Sequence, residues 1–207
     1  MKQKNILFTD MDGTILFSDN GKTYFKESDL DAIKEFQQRG NLIVINSGRA
    51  LPWIVAPLEG YLLPDYMIAG TGSIIADSHQ QILHEEPVSF TAIKKIINEY
   101  ASDIPLTVHT KLYGMSFHFK DNKSAKAFAD WLEKSDHHEV RAFVNIQDVD
   151  MAWRDCSKGN AMNILCQKLG FMHEQVYAIG DAENDIDMLR ATKHGYTFHH
   201  SPATVKQ

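Results

Sequence analysis

Two acidic side chains, Asp10 and Asp12, follow an apolar run at residues 6–9 and are separated by one residue. The run is typical of a buried strand, and residues two apart in an extended chain face the same side, so both carboxylates can face one ligand. Two carboxylates this close repel each other unless a cation, a phosphoryl group or a proton lies between them. Gly13 then permits a sharp turn, and Thr14 adds a hydroxyl. Taken alone, the string also fits an acidic strand end followed by a turn.

Two further apolar runs, at 42–45 and 175–179, also end in polar strings. The polar residues that follow the two runs are Ser47, Gly48 and Arg49 after the first, and Asp181, Asn184 and Asp185 after the second. The carboxyl ends of parallel strands meet at one edge of an open α/β sheet. We therefore expect all three strings to converge on one cleft.

The residue types at these strand ends fit a site for phosphoryl transfer. Asp10 and Asp181 offer hard carboxylate oxygens, which suit Mg²⁺. The Ser47 hydroxyl and the backbone N–H groups around Gly48 are suited to phosphate oxygens at a helix N-terminus. Lys158, at the start of its own helix, adds a positive charge. Cations are needed here, because two like charges about 4 Å apart cost roughly 4 kcal/mol at an effective dielectric constant of about 20.

The pattern of elements around these strings predicts an α/β protein in two parts. Residues 1–79 and 154–207 alternate strand and helix, which is typical of a doubly wound parallel sheet. The dipeptide at 20–21, Asn-Gly, predicts a hairpin turn within the first of these segments. Residues 80–153 follow the order αββαββ, which suits an antiparallel sheet with helices on one face. The elements predicted in this second part are helix 89–102, strands 106–110 and 114–119, helix 122–134, and strands 139–144 and 149–153.

Composition limits the classes of partner. The 207 residues are 43% hydrophobic and carry a formal net charge of −6, which argues against binding nucleic acid or an anionic membrane surface. No run approaches the roughly 20 apolar residues that span a bilayer, and the first residues lack a signal-peptide pattern. Cys156 and Cys166 lack zinc-like spacing and are expected to be buried thiols of a reducing compartment. These features predict a cytoplasmic protein.

The four strings at 10–14, 47–49, 158 and 181–185 resemble, in their order, the four motifs of the haloacid dehalogenase (HAD) phosphohydrolase superfamily. The insert resembles the small cap of its subfamily IIB, the Cof-like proteins. The resemblance extends over about residues 4–198. It implies a Rossmann-like α/β core with an inserted α+β cap domain, and the activity of a Mg²⁺-dependent phosphatase.

The resemblance also implies roles for the acids. Asp10 would be the nucleophile that forms an aspartyl-phosphate, and Asp12 the general acid/base that protonates the leaving alkoxide and then activates water. The metal ligands would be Asp10, the backbone carbonyl of Asp12, and Asp181. Asp185 would hold the metal's water molecules from behind these ligands.

The remaining motif residues would bind phosphate. Ser47 and Gly48 match the phosphate-binding positions of the second motif. Lys158 matches the lysine of the third motif, which would neutralise Asp10 and the phosphate. Asn184 would help to orient the phosphate or the neighbouring metal ligand.

Substrate specificity has weaker signals. Two roles remain open for Arg49, a structural ion pair and a contact with phosphate. Lys111, Tyr113 and His118 in the insert are candidates for specificity residues, and each also fits an ordinary polar sheet face. The resemblance implies that the cap closes over the cleft and selects the leaving group.

The leading hypothesis is a Mg²⁺-dependent phosphatase for a small phosphorylated metabolite, with a sugar phosphate as the most favoured class. A phosphomutase or phosphotransferase would use the same site but pass the phosphoryl group to a sugar hydroxyl. A non-catalytic, phosphate-binding regulatory protein is a third hypothesis. The presence of Asp12 argues against it, because a second acid two residues after the nucleophile serves turnover.

Overall fold

The computed structural model describes residues 4–86, 95–96, 98–100, 107–111, 114–145 and 147–206. Contacts divide the chain into a core unit, Met1–Glu85 with Ser157–Gln207, and an inserted unit, Glu86–Cys156. The predicted boundaries at 79/80 and 153/154 each lie a few residues before the observed ones, which fall at 85/86 and 156/157. Among the described residues, no helix is both long and apolar enough to cross a membrane.

The strands and helices alternate along the core unit and are interrupted by the insert. In chain order, the strands are β1 (Ile6–Thr9), β2 (Leu16–Asp19), β3 (Lys22–Phe25), β4 (Leu42–Asn46), β5 (Tyr66–Ala69), β6 (Ile74–Asp77), β7 (Ile82–Glu85), β8 (Thr107–Lys111), β9 (Gly114–His118), β10 (Val140–Asn145), β11 (Asp148–Trp153), β12 (Val176–Ile179) and β13 (His194–Tyr196). The helices are α1 (Glu27–Gln38), α2 (Leu51–Leu58), α3 (Asn122–Lys134), α4 (Lys158–Leu169) and α5 (Ile186–Arg190).

The main sheet has the strand order β13-β12-β1-β4-β5-β6-β7 within the described part of the chain. The first five strands are parallel, which confirms the predicted parallel α/β core. Strands β6 and β7 pair antiparallel and were not predicted. They belong to the core sheet because a tight turn at 70–73 sends the chain straight back along β5. This is why the core unit continues to Glu85.

The register of the parallel strands brings the polar strings to one level. Strand β1 lies between β12 and β4, and Thr9 at its end pairs with Ile179 on one side and Ile45 on the other. The residues that follow these three positions therefore leave the sheet side by side. The predicted convergence of the strand ends at the carboxyl edge is confirmed in the core unit.

Apolar side chains cover both faces of the main sheet. One buried cluster joins alternate residues of β1, β4 and β12, such as Phe8, Val44 and Ala178, to the apolar sides of α4 and α5. Helix α1 contacts β4 and α2 contacts β5. The intervening strand residues Ile43 and Ile45 are also fully buried, and side chains alternate between the faces of a strand. This arrangement agrees with a doubly wound sheet.

The predicted hairpin is confirmed. Strands β2 and β3 pair antiparallel around Asn20 and Gly21, which both have positive φ, at 49° and 76°. Such angles match the right-handed twist of the strands and favour Asn-Gly.

The inserted unit contains a four-stranded antiparallel sheet in the order β10-β11-β9-β8. Helix α3 begins after Asp121, whose side chain accepts a hydrogen bond from the Ser124 N–H at 2.7 Å. Its buried residues Phe128 and Leu132 pack with Phe117 of β9. The predicted strands and the second predicted helix agree with the structure to within one residue at each end. The other predicted helix, 89–102, lies largely outside the described residues.

Gly72 allows the turn at 70–73 to touch the start of α4, and this contact predicts a stability effect. Its φ is +96°, and a Cβ there would lie 2.3 Å from the Ser157 carbonyl oxygen. We expect Gly72→Ala to lower the free energy of unfolding by about 2–4 kcal/mol, since it combines left-handed strain with overpacking. Gly40→Ala is the matched control, because Gly40 has φ +85° and no atom within 4 Å of its Cβ position. Equal losses in urea titrations of the two variants would contradict the role of the contact.

Candidate active site

A buried lysine joins two of the acids at the carboxyl edge of the main sheet. The Lys158 Nζ donates to Asp10 Oδ1 and to Asp185 Oδ1, each at 2.5 Å, and all three side chains are buried. Burial alone would lower the pKa of Lys158, but its two carboxylate partners raise it above its usual range. The lysine is therefore charged at neutral pH. The structure brings the first, third and fourth motifs together around this side chain.

Local structure fixes the position of Lys158. Ser157 caps α4 by accepting a hydrogen bond from the Asn160 N–H at 3.1 Å, so Lys158 is the first helical residue. The Asn46 Nδ2, at the end of β4, donates to the Lys158 carbonyl oxygen at 3.0 Å. Sequence reasoning gave Asn46 no role, although a polar residue ending an apolar strand was an available signal. Asn46 ties the start of the helix to the strand that leads to Ser47.

Both carboxylate oxygens of Asp185 have partners. Its Oδ1 accepts a hydrogen bond from the Lys158 Nζ. Its Oδ2 accepts hydrogen bonds from the backbone N–H groups of Asp181 and Ala182, at 3.1 and 3.0 Å. Gly180 makes this possible, because a Cβ at that position would lie 2.5 Å from the Asp185 Cγ. Asp185 thus holds the loop that carries Asp181, and its oxygens are engaged by the protein itself.

Asp10, Asp181 and Asp185 each offer one oxygen, and these oxygens lie within 4.8 Å of one another. The Thr14 hydroxyl lies 3.2 Å from Asp181 Oδ1 and 3.5 Å from Asp10 Oδ2, so its single hydrogen can be donated to either acid. Burial raises the pKa of Asp10 to about 7, with the Asp185 charge adding to the shift and Lys158 opposing it. Burial and the Asp185 charge also raise the pKa of Asp181.

The chemistry of these acids decides whether a divalent cation fits between them. The donors are hard carboxylate oxygens, which Mg²⁺ prefers. Three carboxylates meet one lysine ammonium here, and burial together with the Asp185 charge raises the pKa values of Asp10 and Asp181, so a further positive charge would stabilise their ionised forms. The residues therefore fit a divalent cation. Because Asp185 is engaged elsewhere, Asp10 and Asp181 are the two carboxylates best suited to contact it.

Asp12 is held by Arg49. The Arg49 Nε donates to Asp12 Oδ2 and the Arg49 Nη2 to Asp12 Oδ1, both at 2.7 Å. A third donor, Nη1, contacts the Trp53 carbonyl oxygen at 3.1 Å. The structure therefore contains the ion pair that the sequence left open for Arg49. Its partner was not identified from the sequence, because 37 positions separate the two residues.

The second motif forms a tight turn after β4. Ser47 is buried, and its Oγ accepts the Arg49 N–H at 3.1 Å, which leaves its hydroxyl hydrogen to donate. The backbone N–H of Thr71 donates to the Ser47 carbonyl oxygen at 3.2 Å. A Cβ on Gly48 would lie 3.3 Å from the Thr71 Oγ1, so the absence of a side chain keeps this turn close to its neighbour. Thr71 has a φ of +56°, which is strained for a β-branched residue.

Asn184 supplies a buried acceptor at the same edge. Within the described part of the chain, its Oδ1 has no hydrogen-bond partner. A buried acceptor of this kind is costly unless a ligand or water satisfies it. This observation is compatible with the predicted contact to a bound group.

The candidate specificity residues of the insert are described only in part. Lys111 is the last residue of β8, and Tyr113 lies outside the described residues. The His118 Nδ1 lies 2.8 Å from Asp148 Oδ1, and its Nε2 lies 3.0 Å from the Gln147 Nε2. Both ring nitrogens of His118 therefore have partners within the inserted unit.

The core fold and this site define an α/β protein in which three acids and a buried lysine meet at the carboxyl edge of the sheet. Residues 7–148 and 108–207 match the family model described as haloacid dehalogenase-like hydrolase. The chain therefore belongs to the haloacid dehalogenase-like hydrolase family, as the four motifs predicted.

Relatives with assigned activities extend this finding. The chain is 26% identical over 220 residues to the 5-amino-6-(5-phospho-D-ribitylamino)uracil phosphatase YcsE of Bacillus subtilis, covering 98% of this chain and 86% of the relative. It is 22% identical over 199 residues to a phosphoglycolate phosphatase of Staphylothermus marinus, covering 89% and 80%. A solved haloacid dehalogenase-like hydrolase from B. subtilis has the same fold, with a TM-score of 0.83 at 17% identity, covering 98% and 92%. The family and these relatives identify the chain as a phosphoric monoester hydrolase.

Proposed function

We propose that this chain is a Mg²⁺-dependent phosphatase that hydrolyses a small phosphorylated metabolite through an aspartyl-phosphate on Asp10. The observation that carries the proposal is the buried contact of Lys158 with Asp10 and Asp185 at the strand ends. The charged Lys158 lowers the pKa of Asp10 against the effect of burial, and so favours the ionised carboxylate that a nucleophile needs.

In the first step, an Asp10 carboxylate oxygen forms a bond to phosphorus while the bond from phosphorus to the leaving oxygen breaks. Asp12 gives its proton to that oxygen, which departs as an alcohol. In the second step, water forms the new bond to phosphorus, its proton passes to Asp12, and the bond between Asp10 and phosphorus breaks. The products are inorganic phosphate and the original carboxylate.

Three groups are suited to bind the phosphoryl group. The Ser47 oxygen accepts the Arg49 N–H, so the hydroxyl would bind a phosphate oxygen through its own hydrogen. The Gly48 backbone N–H lies in the same turn, and Lys158 provides the positive charge. Asn184 is suited to orient either the phosphate or Asp181, since its buried oxygen has no partner among the described residues.

Asp10 and Asp181 would hold the Mg²⁺, with the Asp12 carbonyl as the proposed third protein ligand. Bound there, Mg²⁺ supplies a positive charge that offsets the charge developing on the phosphoryl oxygens. Asp185 keeps the Asp181 loop in place through its two backbone hydrogen bonds.

The substrate is proposed to be a small organic phosphate, with a sugar phosphate as the favoured class. Two relatives support a small metabolite, since their names specify a phosphoribitylamino compound and phosphoglycolate. The test is phosphate release from p-nitrophenyl phosphate and from a panel of metabolite phosphates, with Mg²⁺ and with EDTA. We expect turnover that depends on Mg²⁺ and a preference within the panel. Absence of phosphate release from every compound with Mg²⁺ present would refute the proposal.

The proposed metal site also predicts a pH dependence of stability. A carboxylate with a raised pKa favours the folded state when protonated, so the contribution of Asp10 is complete below its ordinary pKa of 3.8 and is lost as the pH rises through about 7. In EDTA, we expect Tm to fall between pH 5 and pH 8. Mg²⁺ should raise Tm more at pH 8 than at pH 5, because protons compete with the metal.

The control for this prediction is Asp10→Asn, which removes the titrating group and should weaken the pH dependence of the Mg²⁺ effect. Differential scanning fluorimetry of both proteins at the two pH values provides the measurement. An equal Mg²⁺ effect on the Tm of the unmodified protein at pH 5 and pH 8 would contradict it.

A further inference from the structure

Arg49 binds both oxygens of the Asp12 carboxylate and the Trp53 carbonyl oxygen. We call this arrangement the Arg49 clamp. A guanidinium that contacts both oxygens fixes the plane of a carboxylate as well as its location. The third hydrogen bond fixes the guanidinium itself to the first turn of α2, so the clamp has a rigid base.

Stability alone gives little reason for this ion pair. The Arg49 side chain is 29% exposed and the Asp12 side chain 52% exposed. Ion pairs with this much solvent contact typically contribute little to stability. The geometry is nevertheless fully bidentate, and such a contact fixes the direction in which the Asp12 carboxylate points.

The clamp connects two parts of the proposed phosphate site. Asp12 lies two residues after Asp10, and Arg49 lies two residues after Ser47. The Arg49 backbone N–H also donates to the Ser47 Oγ. One residue therefore contacts both the proposed acid/base and the proposed phosphate-binding hydroxyl.

We propose that Arg49 is a positioning residue that aims the Asp12 carboxylate at the leaving oxygen and sets its place relative to Ser47. This inference rests on the proposed function, in which Asp12 transfers the proton. A carboxylate has about four lone-pair sites, and the guanidinium uses two of them, so one on each oxygen is left for that proton. Arg49 does not itself bind substrate in this arrangement.

The inference makes the effect of Arg49 depend on the leaving group. Arg49→Lys keeps the charge but loses the two-pronged contact. General acid–base catalysis contributes about 10²–10⁴-fold, so we expect kcat/KM for an alkyl phosphate such as glucose 6-phosphate to fall by about 10²-fold. For p-nitrophenyl phosphate, whose leaving group is a stable anion, kcat/KM should fall only a few-fold. The alkyl substrate is replaced by the best alkyl phosphate of the panel if glucose 6-phosphate is not accepted.

A double-mutant cycle with Asp12→Asn tests whether Arg49 acts through Asp12. In the Asp12→Asn background, we expect Arg49→Lys to cause no further loss of kcat/KM on the alkyl phosphate. Additive losses, or an equal rise of KM for both substrates, would overturn the inference and indicate a direct contact of Arg49 with substrate phosphate.

Arg39→Lys is the matched control, because Arg39 forms an exposed ion pair with Glu35 at the end of α1. The kinetic constants of Arg39→Lys should equal those of the unmodified protein. The Tm of Arg49→Lys should match the Tm of Arg39→Lys. Loss of Tm in Arg49→Lys with the loss of kcat/KM equal for both substrates would mean a structural role and overturn the inference.

Failure of the inference and failure of the proposed function give different results. If Asp12→Asn retains full kcat/KM on the alkyl phosphate, Asp12 is not the acid/base, and both the proposed mechanism and the inference fall. If Asp12→Asn is impaired and the Arg49→Lys loss is additive to it, the proposed function stands and only the positioning role of Arg49 falls.

Discussion

Replacing Asp10 by Asn should reduce the rate of Mg²⁺-dependent hydrolysis of p-nitrophenyl phosphate by at least about 10³-fold. A loss of this size is expected when a catalytic nucleophile is removed. The amide has nearly the shape of the carboxylate but lacks its nucleophilic oxygen. It also removes one of the two carboxylates proposed to contact the metal. Both effects act on the step that forms the bond to phosphorus.

The Asp10→Asn protein should remain folded. The amide oxygen can still accept the hydrogen bond from Lys158, and the variant removes one negative charge from a site where Asp181 and Asp185 remain. We therefore expect its Tm in EDTA at pH 8 to be equal to or above that of the unmodified protein. A loss of activity with this Tm cannot be due to unfolding.

Asp19→Asn is the matched control for charge and size, because Asp19 is exposed at the end of β2. Initial rates of both variants are measured with saturating substrate and Mg²⁺. Full turnover by Asp10→Asn would show that another group attacks phosphorus, and the aspartyl-phosphate mechanism would then be wrong.

The position of the site at the strand ends could be predicted from the sequence, because each strand gives two signals. The runs at 6–9, 42–45 and 175–179 are apolar enough to be buried on both faces, and each ends abruptly in polar residues. Parallel pairing then brings the ends to one edge without any knowledge of side-chain contacts. This is why Asp10, Ser47 and Asp181 were expected together.

The strands β6 and β7 could not be predicted in the same way. Ile74–Asp77 is a short apolar run that periodicity cannot assign, and it is reached through a turn in which Thr71 has a positive φ. Gly70 and Gly72 both have positive φ and mark a turn in the sequence, but a turn signal alone does not tell that the chain returns along β5. Tertiary contacts, such as that of Gly72 with Ser157, stabilise the turn.

The side-chain pairings of the site were also beyond the sequence. Lys158 could be expected near the acids, but its equal contacts with Asp10 and Asp185 depend on where α4 begins relative to β12. The contact between Asp12 and Arg49 likewise depends on rotamers selected in the folded state. Residue types identify which groups can meet, whereas the packed structure decides which of them do.

Replacing Lys158 by Met should cost both stability and activity. The lysine is fully buried, and its removal leaves Asp10 and Asp185 without their shared cation. Removing one partner of a buried ion pair typically costs about 3–5 kcal/mol, because the remaining charge is left uncompensated. We expect a loss of that size in urea titrations in EDTA at pH 8, and phosphatase activity at least about 10²-fold lower, since a preorganised positive charge is lost.

The control is Lys168→Met, which makes the same change at an exposed position near the end of the same helix. It should alter the free energy of unfolding by at most about 0.5 kcal/mol, as is usual for surface positions. Equal effects of the two substitutions would mean that the buried ion pairs contribute nothing beyond an ordinary surface lysine.

The loss in Lys158→Met should also depend on pH. Burial already raises the pKa of Asp10 to about 7 with Lys158 opposing the shift, so without the lysine the pKa must rise further. A group with a raised pKa stabilises the fold at low pH and loses that contribution as the pH rises through its folded pKa. The stability difference between the variant and the unmodified protein should therefore be smaller at pH 5 than at pH 8. A difference that stays constant would indicate that Lys158 stabilises the fold by packing, and not by compensating the charge of its two carboxylate partners.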